Sequence, residues 1–313
     1  MHLSSKDAAQ ETGSALRLSV VIGTSNRPAL VALCLQSLLP QITSHYDREV
    51  LLIDNSTNEE THEMFHAQFG RTPQFRYVRL PIVSGNIARN EGTQLAKGEY
   101  VAFLDDDAEV SPQWIEEMLA AFAHFGPKAG CIGGPSALRY DVPKPRWLSD
   151  WLLPFLGALD WGDAPLTVSE AELFFGLNVA FRRDALLAVG VYGKGPDRGT
   201  ANLLSNSEYP MQIVIQRAGY TRHYVPGMRV RHFAPAARLK PWWFVRRAFW
   251  QGVSDVRLFA VSGIKRPPPA RRLSSAHRRS LWRCLIPTPA NAHLLLCWMA
   301  LRVGYASARM ALV

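Results

Sequence analysis

Short apolar runs that empty into polar clusters recur along the first part of the chain. Leu18-Ser19-Val20-Val21-Ile22 ends in Gly23-Thr24-Ser25-Asn26-Arg27-Pro28, Glu49 to Ile53 ends in Asp54-Asn55-Ser56-Thr57, and Tyr100 to Leu104 ends in Asp105-Asp106-Asp107. Short runs that are apolar at nearly every position read as strands buried on both faces. Phe75 to Leu80 reads as another strand. Ala29 to Leu39 and Ile87 to Ala96 carry apolar residues at helical spacing, the first preceded by Pro28 and the second followed by Gly98. A further helix is predicted from Ser111-Pro112 through Phe125, with Ser111 as N-cap and Glu116-Glu117 in its first turns. Alternating β and α elements predict an α/β fold with a mostly parallel sheet flanked by helices. In such sheets ligands bind beyond the C-terminal strand ends, and all three polar clusters fall there.

The triplet Asp105-Asp106-Asp107 is the strongest chemical signal. Three like charges at a strand end repel one another and lose solvation, which raises local pKa values unless a cation sits among them. A hard divalent ion such as Mg²⁺ or Mn²⁺ removes that cost, because it takes carboxylate and phosphate oxygens. An isolated acidic triplet is as often a solvated loop; its position after a buried strand, in line with two other polar strand ends, shifts the balance towards a site.

Four segments together resemble family 2 glycosyltransferases, inverting enzymes of the GT-A fold that use nucleotide-diphosphate sugars. They are Ser19 to Pro28, Leu51 to Ser56, Gly85 to Gly92 and Gly98 to Asp107, and their order and spacing match over roughly residues 17–235. The resemblance implies a Rossmann-like sheet and a set of roles. Thr24 and Arg27 lie in the first loop, where the nucleotide is held; Arg27 suits a diphosphate. Asp54 accepts from a base N–H, with a lean towards UDP-sugars, its alternative being a cap for a helix over Ser56 to Phe69. Arg89 lies near the nucleotide at a helix start that favours anions, its alternative being an ion pair with Glu91 or Glu99. In the triplet, Asp107 is the principal metal ligand, Asp105 a second one and a nucleotide contact, and Asp106 a ribose or water-mediated metal contact. Val230-Arg231-His232 resembles a later element whose histidine approaches the metal. Gly176 to Arg183 resembles the strand before the acceptor helix, with Asn178 lining the acceptor site.

Ser205-Asn206-Ser207-Glu208 occupies the place of the acidic catalytic motif. Two adjacent acids are common there; here Ser207 stands first and Glu208 second. An inverting transfer needs one base for the acceptor hydroxyl proton, and Glu208 is the candidate. Its alternative is an acid stabilising a helix dipole.

Composition refines this outline. The chain has 313 residues, 48% hydrophobic and 19% charged, as in a folded protein. Cys34, Cys131, Cys284 and Cys297 show no metal or redox spacing and fit reduced thiols in a cytoplasmic protein. Met1 to Arg17 has no apolar signal-peptide core, and no stretch of 18 apolar residues predicts a spanning helix. From Arg217 onward 18 Lys/Arg face one acid, Asp255, so that stretch carries +17 and residues 1–216 carry −8 of the net +9. Leu239 to Trp250 mixes aromatics with cations, as helices on anionic bilayers do, and Leu294 to Tyr305 is apolar but short. Residues 140–172, rich in Pro and Trp, predict a long loop with short helices near the acceptor cleft.

The expected organisation is a flexible N-terminus over 1–16, a GT-A domain over 17–235 and a basic, aromatic helical extension over 236–313. The domain splits into a nucleotide-binding half, 17–125, and an acceptor half, 126–235. The expected function is transfer of a sugar, with Mn²⁺ or Mg²⁺, to a saccharide or lipid-linked saccharide in cell-surface polysaccharide or glycolipid synthesis. The expected setting is cytoplasmic, at an anionic inner membrane face, with no nucleic acid as partner. The alternatives are a nucleotidylyltransferase, which usually needs an early Gly-rich basic loop that Gly23 to Arg27 does not supply, and a non-catalytic membrane- or nucleic-acid-binding protein driven by the tail.

Overall fold

The computed structural model describes residues 16–170, 172–189, 203–262 and 289–310. Most of the N-terminal stretch, Cys284 and the linker around Pro267 to Pro269 lie outside these residues.

β1 (Leu18–Thr24), β2 (Arg48–Asp54), β3 (Phe75–Arg79), β4 (Tyr100–Asp105), β6 (Ala129–Gly133), β8 (Leu166–Thr167), β9 (Asn178–Arg182) and β10 (Thr221–Tyr224) form one sheet. Their order is β3-β2-β1-β4-β9-β6-β10-β8. β3, β2, β1 and β4 run parallel, as do β6 and β10, whereas β9 is antiparallel to both β4 and β6. A second sheet joins β5 (Ala108–Val110), β11 (Val230–Ala234) and β7 (Ser136–Tyr140) in the order β5-β11-β7.

Helices cover both faces of the large sheet, which is why its central strands read as continuous apolar runs. Val20 and Ile22 of β1 pack with Val31, Leu35 and Leu38 of α1 (Pro28–Thr43) and with Trp114 and Met118 of α4 (Trp114–Phe125). Val21 points the other way, into a cluster with Leu51, Ile53, Phe103 and Ala88 of α3 (Gly85–Leu95).

Helix boundaries differ from the sequence expectation where side chains intervene. α2 spans Glu60–Gln68 rather than starting at Ser56, because Ser56 donates both its N–H and its hydroxyl to Asp54 Oδ1. α3 starts at Gly85 because Ser84 caps it, its Oγ accepting from Ile87 N at 3.2 Å, so Gly85 and Asn86 lie inside the first turn. α4 starts at Trp114, and Gln113 rather than Ser111 stands at its N-cap, with no side-chain capping bond. α1 runs through Pro40 to Thr43.

After β9 come α5 (Arg183–Val189) and α6 (Tyr209–Arg217). Beyond β11 and a 3₁₀ turn at Ala236–Leu239, α7 (Pro241–Ser262) and α8 (Pro289–Met310) pack together. A Cβ at Gly252 would fall 2.1 Å from Leu301 O, and one at Gly304 would fall 2.0 Å from Phe249 O, so these glycines let the two backbones touch. Phe244, Ala248, Cys297 and Leu301 continue into a cluster with Leu152 and Leu156 of the 3₁₀ turn Asp150–Leu156. The 140–172 segment is thus anchored by the C-terminal helices. Two of its tryptophans are packed: Trp147 meets Phe244 and His293, and Trp161 meets Phe174 and Tyr224.

Candidate functional site

Strand register makes the polar clusters converge. β1 pairs Thr24 with Asp54 on one side and Gly23 with Asp105 on the other. β11 then brings in a residue from much later in the chain. It pairs antiparallel with β5, setting His232 opposite Ala108, and Phe233 N donates to Asp107 O at 2.9 Å. A cavity of about 380 Å³ opens at these strand ends, and Thr24, Arg27, Arg89, Asp105, Asp106, Asp107, Glu208 and His232 all line it.

Asp105, Asp107 and His232 each turn one ligand-type atom to a common point, and these atoms lie within 4.8 Å of one another. His232 Nδ1 lies 2.7 Å from Leu156 O, which can only accept, so that nitrogen carries the proton. Nε2, 3.0 Å from Asp107 Oδ1, is then the ring nitrogen free of that proton and available as a ligand atom. Burial lowers the His232 pKa, but the adjacent Asp107 charge outweighs it and the net shift is upward. For Asp107, burial opposes ionisation, yet His232, Arg238 and Arg27 hold its pKa below the usual carboxylate range. Two carboxylates and a tautomer-fixed imidazole are a donor set that suits Mn²⁺.

Asp106 has a different place. Its oxygens accept from Thr24 Oγ1 at 2.7 Å and from Arg27 at 3.1 Å, and it is buried. Burial and the neighbouring Asp107 push its pKa up to about 7, against the pull of Arg27 and Thr24. It ties the first loop to the acidic strand end and lies outside the Asp–Asp–His group. Arg27 also reaches Asp107 at 3.2 Å. Arg89 pairs with Asp105 at 2.8 Å, rather than with Glu91 or Glu99.

Two expected site residues are not brought to the cavity. Asp54 is fully buried, with Oδ1 taken by Ser56 and Oδ2 by Tyr77 at 2.6 Å and Arg79 at 3.4 Å. Its neighbour Asn55 lines the wall instead. Asn178, expected at the acceptor site, lies in the core: its Oδ1 accepts from Trp114 Nε1 at 2.9 Å, and its Nδ2 donates to Pro135 O and Met228 O. The period-2 face choice of β9 turns it away from the cavity.

Glu208 precedes α6 without capping it through its side chain. Its carboxylate accepts only weakly, from Gly176 N at 3.4 Å and Ser207 Oγ at 3.3 Å. Phe155, from the segment expected near the acceptor cleft, lines the cavity together with Arg238, Trp243 and Arg247, which the sequence reading missed. Arg247 lies over the Phe155 ring at 5.5 Å. The sequence signal for Trp243 and Arg247 is the mixture of aromatics and cations in Leu239 to Trp250. The division drawn at residue 235 therefore crosses the cavity lining.

The central sheet flanked by helices is similar to that of GT-A glycosyltransferases. The structure superposes with a TM-score of 0.59 and 18% identity on the mannosyltransferase PcManGT from Pyrobaculum calidifontis, solved with GDP-Man and Mn²⁺, covering 95% of this chain and 84% of that one. Residues 19–169 match the model of Glycosyl transferase family 2, and this part of the chain is similar to the glycosyltransferase domains of that family.

Among curated relatives, glucosyl-dolichyl phosphate glucuronosyltransferase of Haloferax volcanii is 30% identical over 168 residues, 53% of this chain and 53% of that protein. Succinoglycan biosynthesis protein ExoM of Rhizobium meliloti is 24% identical over 256 residues, 78% of this chain and 76% of its own. The chain thus spans about half the length of the first of these relatives.

Proposed function

We propose that this protein is a metal-dependent, inverting glycosyltransferase. It moves a sugar from a nucleotide-diphosphate sugar to a saccharide or lipid-linked saccharide in cell-surface polysaccharide or glycolipid synthesis. The observation that carries this reading is one cavity holding the Asp105–Asp107–His232 group and the weakly held Glu208 carboxylate. Arg27 and Arg89 supply the charge-assisted donors that a diphosphate needs, and Thr24 and Asp106 hold the loop that presents Arg27. The acceptor hydroxyl oxygen attacks the anomeric carbon from the side opposite the diphosphate, the sugar–phosphate C–O bond breaks with its electrons, and Glu208 takes the hydroxyl proton. Asp105, Asp107 and His232 would hold a divalent ion, which would supply charge neutralisation of the diphosphate. A preference for UDP-sugars rests on Asp54, which does not line the cavity, so the proposal stops at the nucleoside diphosphate.

The test is a panel of nucleotide sugars incubated with Mn²⁺ or Mg²⁺, reading nucleoside-diphosphate release for the wild type, Asp107→Ala and Glu208→Gln. Release with one donor that needs metal, Asp107 and Glu208 supports the proposal. Release unchanged in both variants would refute the assigned roles.

The same reading includes an anionic membrane surface at the inner face of the cell membrane. Among the described residues, no helix is long and apolar enough to cross a membrane. α8 instead exposes Leu295, Trp298, Met299, Val303 and Met310, with Arg302 5.1 Å from the Trp298 ring centre and no acid on the helix. An apolar face bordered by cations alone complements anionic lipid.

A further inference from the structure

The turn before Glu208 has an unusual backbone and is held by α7. Asn206 has φ of +72°, in the left-handed region where a non-glycine side chain is disfavoured and Asn is among the better tolerated. Its side chain is buried and engaged by α7: Nδ2 donates to Asp255 Oδ1 at 2.9 Å, and Oδ1 accepts from Gln251 Nε2 at 3.1 Å. Gln251 Nε2 also donates to Asp255 Oδ1 at 2.7 Å, and its Oε1 accepts from Ser205 Oγ at 3.1 Å and Arg247 Nη2 at 2.8 Å. Ser205 N donates to Ser254 Oγ at 3.0 Å. Arg247, Gln251, Ser254 and Asp255 fall at i, i+4, i+7 and i+8, one face of a helix.

Two features make this more than ordinary packing. From Arg217 to the end of the chain, Asp255 is the only acid among 18 Lys/Arg, and its Oδ1 is turned to two amides of the turn network. Glu208, two residues beyond Asn206, has only long contacts of its own. Its position is therefore inherited from the backbone of residues 205–208, and that backbone is tied to α7.

We propose that Asn206, Gln251 and Asp255 are positioning residues that clamp the 205–208 turn onto α7 and so aim the Glu208 carboxylate into the cavity. This rests on Glu208 being the base. α7 then belongs to the catalytic apparatus in two ways: it walls the cavity through Trp243 and Arg247, and it sets the base through Gln251 and Asp255. Proton transfer depends steeply on geometry, and a misplacement of about 1 Å costs on the order of 100-fold.

The experiment compares Asp255→Ala, Asp255→Asn, Asn206→Gly and Glu208→Gln in the full chain. Readouts are nucleoside-diphosphate release from the turned-over nucleotide sugar with Mn²⁺, and calorimetric Kd values for UDP and GDP. Glycine adopts a positive φ freely, so Asn206→Gly removes the hydrogen bonds without adding strain and serves if Asp255→Ala fails to fold. The expected result is a kcat lowered about 10- to 100-fold in Asp255→Ala and Asn206→Gly, with donor KM and nucleotide Kd within about twofold. Asp255→Asn, which keeps the accepting oxygen, recovers most of the loss. Wild-type kcat in Asn206→Gly beside an inactive Glu208→Gln would overturn the positioning role alone. Equal losses in kcat and nucleotide affinity would also overturn it, as a general loosening of the site. Full activity in Glu208→Gln would remove the base assignment and this inference with it.

Discussion

His232 Nε2 stands 3.0 Å from Asp107 Oδ1, while its other ring nitrogen is pinned by the Leu156 carbonyl. The contact joins the strand end of the nucleotide-side sheet to a strand of the small second sheet. It also makes the proposed cation site sensitive to the proton that Nε2 takes up when the ring becomes charged.

The first prediction concerns that proton. Asp107 raises the His232 pKa more than burial lowers it, so imidazolium competes with a cation at low pH. Mn²⁺ affinity measured by calorimetry should rise with pH and level off only above the ordinary histidine range, once the ring is neutral. His232→Ala should weaken Mn²⁺ binding by about 100-fold and reduce the pH dependence to the part left by Asp106, whose pKa is pushed up to about 7. A flat affinity profile in the wild type would contradict the assignment.

Asn178 separates the core reading from the acceptor reading. Asn178→Ala leaves Trp114 Nε1 without its acceptor and the Met228 carbonyl without the Asn178 donor, while Pro135 O keeps the Val230 N–H. Denaturant unfolding should show a loss of about 1–3 kcal/mol, with acceptor KM unchanged in the folded enzyme. An increased KM at unchanged stability would return Asn178 to the acceptor site.

Backbone contact between α7 and α8 predicts a packing effect that reaches the site. Gly304→Leu inserts a side chain where Phe249 O already lies, which should cost about 1–3 kcal/mol or more. Because α7 carries Trp243 and Arg247 into the cavity, kcat should fall together with the melting temperature. Retained activity and an unshifted melting curve would mean that α8 does not brace α7.

The outward face of α8 gives the membrane prediction. Replacing Leu295 by Asp and Trp298 by Ala together should reduce sedimentation with vesicles containing phosphatidylglycerol by at least about tenfold, with little change on purely zwitterionic vesicles. Equal partitioning of variant and wild type would sink the proposed surface.

The central strands and the ligand-binding edge were legible because parallel strands buried on both faces leave unbroken apolar runs, and their ends then carry the polar clusters. Thr24, Arg27 and the acidic triplet could be placed at that edge for the same reason, whereas Arg89, on α3, was placed by the family resemblance. Asp54 and Asn178 escaped this local criterion. A polar residue at a strand end or on a short strand can face the ligand or satisfy its neighbours, and only the partners Tyr77, Arg79 and Trp114 decide which.

The sequence by itself determined the alternation of strands and helices, the strand ends that carry charge and the basic bias of the C-terminal part, since each is a property of neighbouring residues. Tertiary structure alone decided which groups meet. The β5–β11 pairing set His232 against Asp107, the β2–β3 pairing closed Asp54 away, and α7 folded back to hold the turn before Glu208. Those contacts join distant segments, so they arise from packing and hydrogen-bond satisfaction across the whole molecule, and no local pattern records them.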